Sequence, residues 1–479
     1  MIYTKRKALF CVLIIAIGSF SACTKAGIPP INPPVDSILT VTVNQASQGA
    51  AIADTFQGLS YEMSILPNAP SFLNPNNSTL IQLIKNLGNG ILRIGGNSSD
   101  DVLWSNTTRS KSTPSNTLTQ SEINTLSTFS NSIGWKVLFG LNMGEYDTAA
   151  AASEATYVYN KLQSNLFALQ FGNEPDGYAS WNPKRTSPYA FANYLPQWQS
   201  YYAAVKSRVP SVPLAGPDVA YQASWVASFA SGQKTKVKLL DSHYYQNGPA
   251  SDTSLTVNSL FTPIPQYPKY FTTINKAAVA AKLPWRMSEC NSINGGGKTG
   301  ISNVFGAALW ALDFMWNVAE NNGTGVNFHG GTGGPYSPFV YSNGVTVPQP
   351  IYYAFLAFKY GANGSKILPT SLSTTKYKFS AYASVKSGTT YVTLINKSQT
   401  QGLTVNLQLS NTASTAQVAR LSAPSITSTS GVSFCGSSVA SNGTFQLGST
   451  ENYTIGGLKT FMVTVPPASA AVVSIVSGN

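Results

Sequence analysis

Between Phe56 and Tyr360 the chain alternates short apolar runs with segments of helical length. The runs predict strands near 56–62, 91–96, 136–142, 167–173, 213–217, 237–244, 285–290 and 325–329. The segments between and after them predict helices near 77–87, 119–131, 149–162, 189–207, 224–230, 268–281, 302–320 and 350–359. Eight strand–helix pairs over about 300 residues is the count and size of a (β/α)8 barrel. A doubly wound open sheet shares this rhythm, but no Gly-rich phosphate turn follows the first strand. The pattern differs on either side. Ile38 to Ile52 contains the alternation Ile-Leu-Thr-Val-Thr-Val-Asn, a half-exposed strand. Residues 365–479 are rich in Thr, Ser, Val and Gly, with alternating segments such as Thr390-Tyr391-Val392-Thr393-Leu394 and Phe461-Met462-Val463-Thr464-Val465. These read as an all-β sandwich. The early strands have no partners before the barrel and are expected to complete it. The fold class is α/β: N-terminal strands over 38–55, a (β/α)8 barrel over 56–360, and a C-terminal β-sandwich over 361–479.

The first 37 residues belong to neither unit. Lys5, Arg6 and Lys7 precede an apolar stretch from Ala8 to Ile17, and Ser19-Phe20-Ser21-Ala22 lead into Cys23. Residues 1–22 therefore read as a signal peptide. Cys23 resembles the lipidated cysteine of bacterial lipoproteins, although Phe20 stands where Leu is usual. Residues 23–37, with Pro29, Pro30, Pro33 and Pro34, read as a stiff tether. The expected location is the bacterial cell envelope, on the periplasmic or surface face of the outer membrane, with a lipid anchor as the sole membrane contact; simple secretion is the alternative. No other apolar run reaches transmembrane length.

Composition narrows the function classes. Charged residues make up 10% of the 479 and apolar residues 43%, which suits a loop-rich extracellular enzyme. The formal charge is +12, of which Lys5, Arg6 and Lys7 supply three, leaving +9 from Cys23 onward. That surplus favours an acidic partner, but without a Lys/Arg run or basic helix nucleic acid is not expected. Cys290 and Cys435 are free to pair, yet one pair makes no disulfide framework.

A barrel enzyme carries its chemistry at the carboxyl ends of its strands. Those ends supply Glu62, Arg93 with Asp100 and Asp101, Asn142, Asn173 with Glu174, Asp218, His243 with Tyr244 and Tyr245, Glu289 with Cys290, and Asn327 with His329. Two His with scattered carboxylates lack metal-ligand spacing, so neither metal nor cofactor is expected. No Gly-x-Ser-x-Gly elbow is present for a Ser-His-Asp triad. The stretch Phe-Ala-Leu-Gln-Phe-Gly-Asn-Glu-Pro-Asp at 167–176 is an apolar strand ending in a carboxylate, and Pro175 biases Glu174 toward extended backbone. Glu289 holds the matching place on the seventh strand. Two carboxylates flanking one bond are the minimum equipment for glycoside hydrolysis.

The motifs Gly-Leu-Ser-Tyr-Glu at 58–62, Leu-Arg-Ile-Gly-Gly-Asn-Ser-Ser-Asp at 92–100, Gly-Asn-Glu-Pro-Asp at 172–176, Ser-His-Tyr-Tyr-Gln-Asn-Gly at 242–248 and Ser-Glu-Cys-Asn-Ser at 288–292 together resemble glycoside hydrolase family 79, the β-glucuronidase and heparanase family. The resemblance implies a retaining exo-β-glycosidase that removes terminal β-glucuronic acid, with or without a 4-O-methyl group, from an acidic glycan. It makes Glu174 the general acid/base and Glu289 the nucleophile. It puts Asn173 on the sugar 2-hydroxyl, and Glu62 and Asp100 on the far hydroxyls. Tyr244 is implied as the hydrogen-bond partner of the nucleophile, with Tyr245 its rival. The sugar carboxylate falls to Gly296, Gly297 and Tyr336. Before that Gly run the family's glucuronidases commonly carry Tyr, and this chain has Asn294. A neutral-sugar glycosidase therefore stays open, as does a lipoprotein that binds glycans without cleaving them. Arg93 reads equally as a core cation or a site residue, and Trp181 as core or as a sugar-stacking platform.

Overall fold

Runs such as Ile91-Leu92-Arg93-Ile94-Gly95 are apolar, end at Gly and are buried along their whole length, as strands of a parallel sheet covered on both faces must be. The structure, a computed structural model, describes residues 38–262 and 267–478. The signal segment, Cys23 and the tether lie outside the described residues. Eight such strands form one parallel sheet: β1 (Gly58–Glu62), β2 (Ile91–Gly95), β3 (Lys136–Leu141), β4 (Leu166–Phe171), β5 (Ala215–Val219), β6 (Leu239–Asn247), β7 (Trp285–Ile293) and β8 (Val326–Gly330). They run in the order β4-β3-β2-β1-β8-β7-β6-β5. A bridge between Leu169 and Leu214 joins β4 to β5 and closes the ring, so the sheet is a barrel and not an open doubly wound fold. Strands β6 and β7 each run three residues beyond the sequence expectation, because they go on pairing with each other as far as Asn247 and Ile293.

Helices α1 (Ser78–Asn86), α2 (Gln120–Ile133), α3 (Thr148–Leu162), α4 (Phe191–Arg208), α5 (Ala223–Gln233), α6 (Tyr267–Ala281), α7 (Phe305–Glu320) and α8 (Pro350–Gly361) follow the strands in turn. Their ends obey local chemistry. Thr119 and Glu122 form a capping box at the start of α2, and Gly134 closes it in left-handed backbone at φ 72°. No helix among the described residues is long and apolar enough to cross a membrane.

The second unit is built around the long strand Leu403–Ser422. Ile38–Val43 lies parallel to its first half, and Ser469–Ser477 lies antiparallel to its second. The N-terminal strand thus enters the C-terminal sandwich, and its Leu39, Val41 and Val43 point into that core. The sandwich rests on α7 and α8, which are apolar nearly all round and buried on every side. Across this seam Tyr382 stacks on Trp316, and Asp313 accepts from the Tyr382 hydroxyl at 2.7 Å and Lys397 Nζ at 2.8 Å.

The barrel floor is polar. Arg286 is fully buried and donates to Asn327 Oδ1 and to the carbonyls of Thr55, Phe56, Thr324 and Val326. Gly58 and Gly325 make room for it: a Cβ at either would fall within 2.7 Å of the guanidinium. Cys290 and Cys435 do not pair. Each is buried, with its Sγ against a backbone carbonyl, of Asn327 and Gly448 respectively.

Candidate active site

Period-two alternation sends Ser60, Arg93, Gln170, His243, Tyr245 and Glu289 toward the barrel axis, near the carboxyl ends of the strands. Arg93, wholly buried, organises them. Its Nη1 donates to Glu289 Oε2 at 2.5 Å and Ser60 Oγ at 3.1 Å. Its Nη2 donates to Asp218 Oδ2 at 2.7 Å and Asn173 Oδ1 at 2.8 Å, and its Nε to Gln170 at 3.1 Å. Arg93 is therefore both a core cation and a site residue. Gln170 donates onward to Asp218 and Asp241, and burial followed by the Asp218 charge pushes the Asp241 carboxyl up to about 8. Asp241 and Gln170 were not singled out in the sequence; their signal was inward parity on strands already assigned.

Glu174 leaves its strand through a tight turn. Gly172 sits at φ 74°, and a Cβ there would also meet the Tyr178 hydroxyl at 2.2 Å, so only Gly fits. Glu174 itself is left-handed, at φ 49° and ψ 53°, and not extended as Pro175 suggested. Its amide donates to the Asp218 carbonyl at 2.9 Å, which pins the turn to β5 and outweighs the pre-proline bias. Backbone strain of this kind is tolerated where a side chain must be aimed. Glu174 Oε1 meets His243 Nδ1 at 2.9 Å, and Oε2 accepts from Trp181 Nε1 at 3.0 Å. His243 Nε2 meets Asp218 Oδ1, also at 2.9 Å. Burial pulls the imidazole down, but the Asp218 and Glu289 charges and its two carboxylate partners outweigh this and hold it well above its ordinary value.

Glu289 is buried, which alone would raise its carboxyl. His329, His243 and Arg93 and the Tyr245 hydroxyl reverse this and hold it far below the usual carboxylate range. Tyr245 donates to Glu289 Oε1 at 2.7 Å. Tyr244, expected in that role, faces the other way: it donates to Gln246 at 2.8 Å and stacks on Phe314. Residues 243 and 245 share a face of β6, so once His243 points inward Tyr244 cannot.

One cavity of about 530 Å³ opens above these groups, lined by Glu62, Asn97, Glu174, Trp181, Tyr221, Tyr245, Glu289, Asn294, Gly295, Gly296, His329 and Tyr336. Glu62 accepts from the Ser98 amide at 2.8 Å and lies 3.5 Å from His329 Nε2. Asn173 sits just beneath, between Arg93 and Asn97. Asp100 is not in the wall. It turns away to accept from the amides of Met143, Gly144 and Asn173 and the Tyr178 hydroxyl, so it fixes loops and cannot grip a sugar. Gly297 also stays out of the wall, for its Cα is packed against Tyr336, where a Cβ would lie 2.7 Å from the Tyr336 amide. Asn294 reaches the Tyr221 hydroxyl at 3.3 Å.

Glu174, His243 and Glu289 each offer a ligand atom, all within 4.8 Å of one another. Both ring nitrogens of His243 already face carboxylates, Nδ1 that of Glu174 and Nε2 that of Asp218. What the pair can do is divide two roles, one carboxylate held ionised by cations and the other open to the cavity.

No family model matches the chain. It is 25% identical over 386 residues to a β-glucuronidase of Neurospora crassa, covering 68% of this chain and 66% of that one. It is 23% identical to a β-glucuronidase of Aspergillus niger, covering 58% of each. The chain thus spans 66% and 58% of these curated relatives. In fold it is similar to the crystal structure of a 4-O-α-L-rhamnosyl-β-D-glucuronidase from Fusarium oxysporum in its Rha-GlcA complex. That match has a TM-score of 0.77 at 21% identity, over 91% of this chain and all of that one.

Proposed function

We propose that the protein is a retaining exo-β-glycosidase that removes terminal β-glucuronic acid. The observation that carries the double displacement is the carboxylate pair: one oxygen of Glu174 and one of Glu289 lie within 4.8 Å of each other. Retaining enzymes hold their carboxyl groups roughly 5–5.5 Å apart, whereas inverting ones need ~6.5–9.5 Å to admit a water. In the first step Glu289 attacks the anomeric carbon. The bond to the aglycone breaks, and the Glu174 proton goes to the leaving oxygen. In the second, water attacks the same carbon, gives its proton to Glu174 and frees Glu289. Configuration is retained. Arg93, Tyr245 and His329 keep the nucleophile ionised and aimed.

The acidic sugar is supported by the two β-glucuronidase relatives and by donors in the cavity wall: the Tyr336 hydroxyl, the Asn294 amide and the backbone of Gly295 and Gly296. A second reading, a neutral sugar, has its own support. The cavity wall holds three carboxylates and no Lys or Arg, so a sugar carboxylate meets repulsion that those donors and His329 must offset. A panel of chromogenic β-glycosides separates the two. Glucuronide, or its 4-O-methyl form, is expected fastest, with the β-anomer as first product by NMR. Tyr336→Phe should then lose about tenfold on glucuronide, and Asn294→Tyr should gain. Faster cleavage of a neutral glycoside, indifferent to Tyr336→Phe, would establish the second reading. The proposal includes export and lipid anchoring at Cys23; Cys23→Ser should abolish metabolic labelling by palmitate.

A further inference from the structure

The double displacement above makes no use of Trp181. Its indole lies 51% exposed in the cavity wall, yet its Nε1–H is committed to Glu174 Oε2. The placement is built. Gly177 lets the ring lie flat on the turn, since a Cβ there would come within 2.3 Å of the indole. The Asp176 carboxylate accepts from the amides of Ala220 and Tyr221 at 2.9 and 3.1 Å, and so fixes the loop after β5 beside this turn. Tyr221 then meets Trp181 edge-on at 6.2 Å. The result is an aromatic corner directly over the acid/base.

The corner creates a conflict that chemistry must resolve. Glu174 Oε1 faces the buried imidazole of His243, so Oε2 is the oxygen open to the cavity and to a leaving group. In the first step Oε2 has to carry the proton that is transferred, and a hydroxyl oxygen accepts poorly. In the second step Oε2 is a carboxylate oxygen taking a proton from water, and a charged oxygen accepts strongly. The indole N–H and the catalytic proton therefore compete for one oxygen, and the reaction needs them there at different times. We propose that Trp181 is a latch worked by the leaving group: an aglycone with a flat apolar face, seated against Trp181 and Tyr221, draws the indole off Glu174 Oε2 for the protonation step, and its departure lets the indole return to orient the carboxylate toward water. Trp181 is in this sense a positioning residue, and it marks the aglycone side of the cavity as the place for an aryl group or a pyranose face.

The inference rests on the glycosidase reading, and kinetics distinguish the two. Trp181→Phe keeps the ring and removes the N–H. On a dinitrophenyl β-glycoside, whose leaving group needs no proton, kcat should fall about tenfold while kcat/KM falls less than about twofold. The glycosyl ester on Glu289 should accumulate, seen as a larger burst and as added mass on the intact protein. Trp181→Ala should show the same fall in kcat and, in addition, a raised KM for aryl but not methyl glycosides. Unchanged kcat in Trp181→Phe, or an equal loss in kcat/KM for every aglycone without accumulation, overturns the latch and leaves the double displacement standing. A parent enzyme that turns over no glycoside sinks the double displacement, and the latch with it.

Discussion

Tyr244 and Tyr245 are neighbours in the chain and lie on opposite faces of β6, one in the packing beneath α7 and one on the Glu289 carboxylate. Tyr245→Phe should lower kcat about tenfold to a hundredfold, the worth of a hydrogen bond to a charged group. Tyr244→Phe should stay within about threefold, since it gives up a neutral bond to Gln246. Steady-state kinetics on one aryl glycoside checks both. Glu289→Gln should remove turnover for every substrate. Glu174→Ala should spare the first step for activated aryl glycosides, with azide restoring turnover as the β-glycosyl azide; equal losses for all substrates and no azide effect would reverse the assignment. The carboxylates were legible because a lone acid at the end of an apolar run is conspicuous. Side-chain direction was less so. Asp100 sits in a motif that promised contact with the sugar, but a one-turn 3₁₀ segment aims it at three backbone amides, and nothing in the residue types foretells that. The Trp181 bond to Glu174 depends on the backbone turn at Gly177 and was equally out of reach.

The barrel's elements were plain from periodicity: each of its eight strands and eight helices falls within a few residues of its expectation, because apolar runs of barrel strands and helix caps are local signals, whereas the long sandwich strand Leu403–Ser422 was not singled out. Where β6 and β7 overran, the cause was pairing between distant segments. Helix α3 carries a local signal that has energetic weight. Its Glu154 is buried, and burial pushes its carboxyl up to about 8. A raised carboxyl binds its proton more tightly folded than unfolded. Its contribution to stability is therefore full below the unfolded value near 4.5, declines as pH rises toward 8, and is lost above. Glu154→Gln should flatten that dependence and add about 4 kcal/mol at pH 8, read as a higher Tm at pH 8 with little change at pH 5. A variant whose Tm tracks the parent at both values would show that the carboxyl is hydrated.

Barrel and sandwich share the apolar helices α7 and α8, so neither can expose its half of the seam cheaply. Calorimetry should show one unfolding transition for both. Asp313→Asn, which weakens the bonds to Tyr382 and Lys397, should lower that single Tm at a cost of about 1–3 kcal/mol, and two separate transitions would contradict the shared seam. The N-terminal strand has a consequence for synthesis. Thr42 bonds to Gln408, 366 residues later, and Ser469–Ser477 fills an interior place in the same sheet. At ribosomal rates of about 5–20 residues per second, Ile38–Val43 waits tens of seconds for its partner, and the sheet stays open until Ser469–Ser477 emerges. Throughout that interval the chain remains threadable.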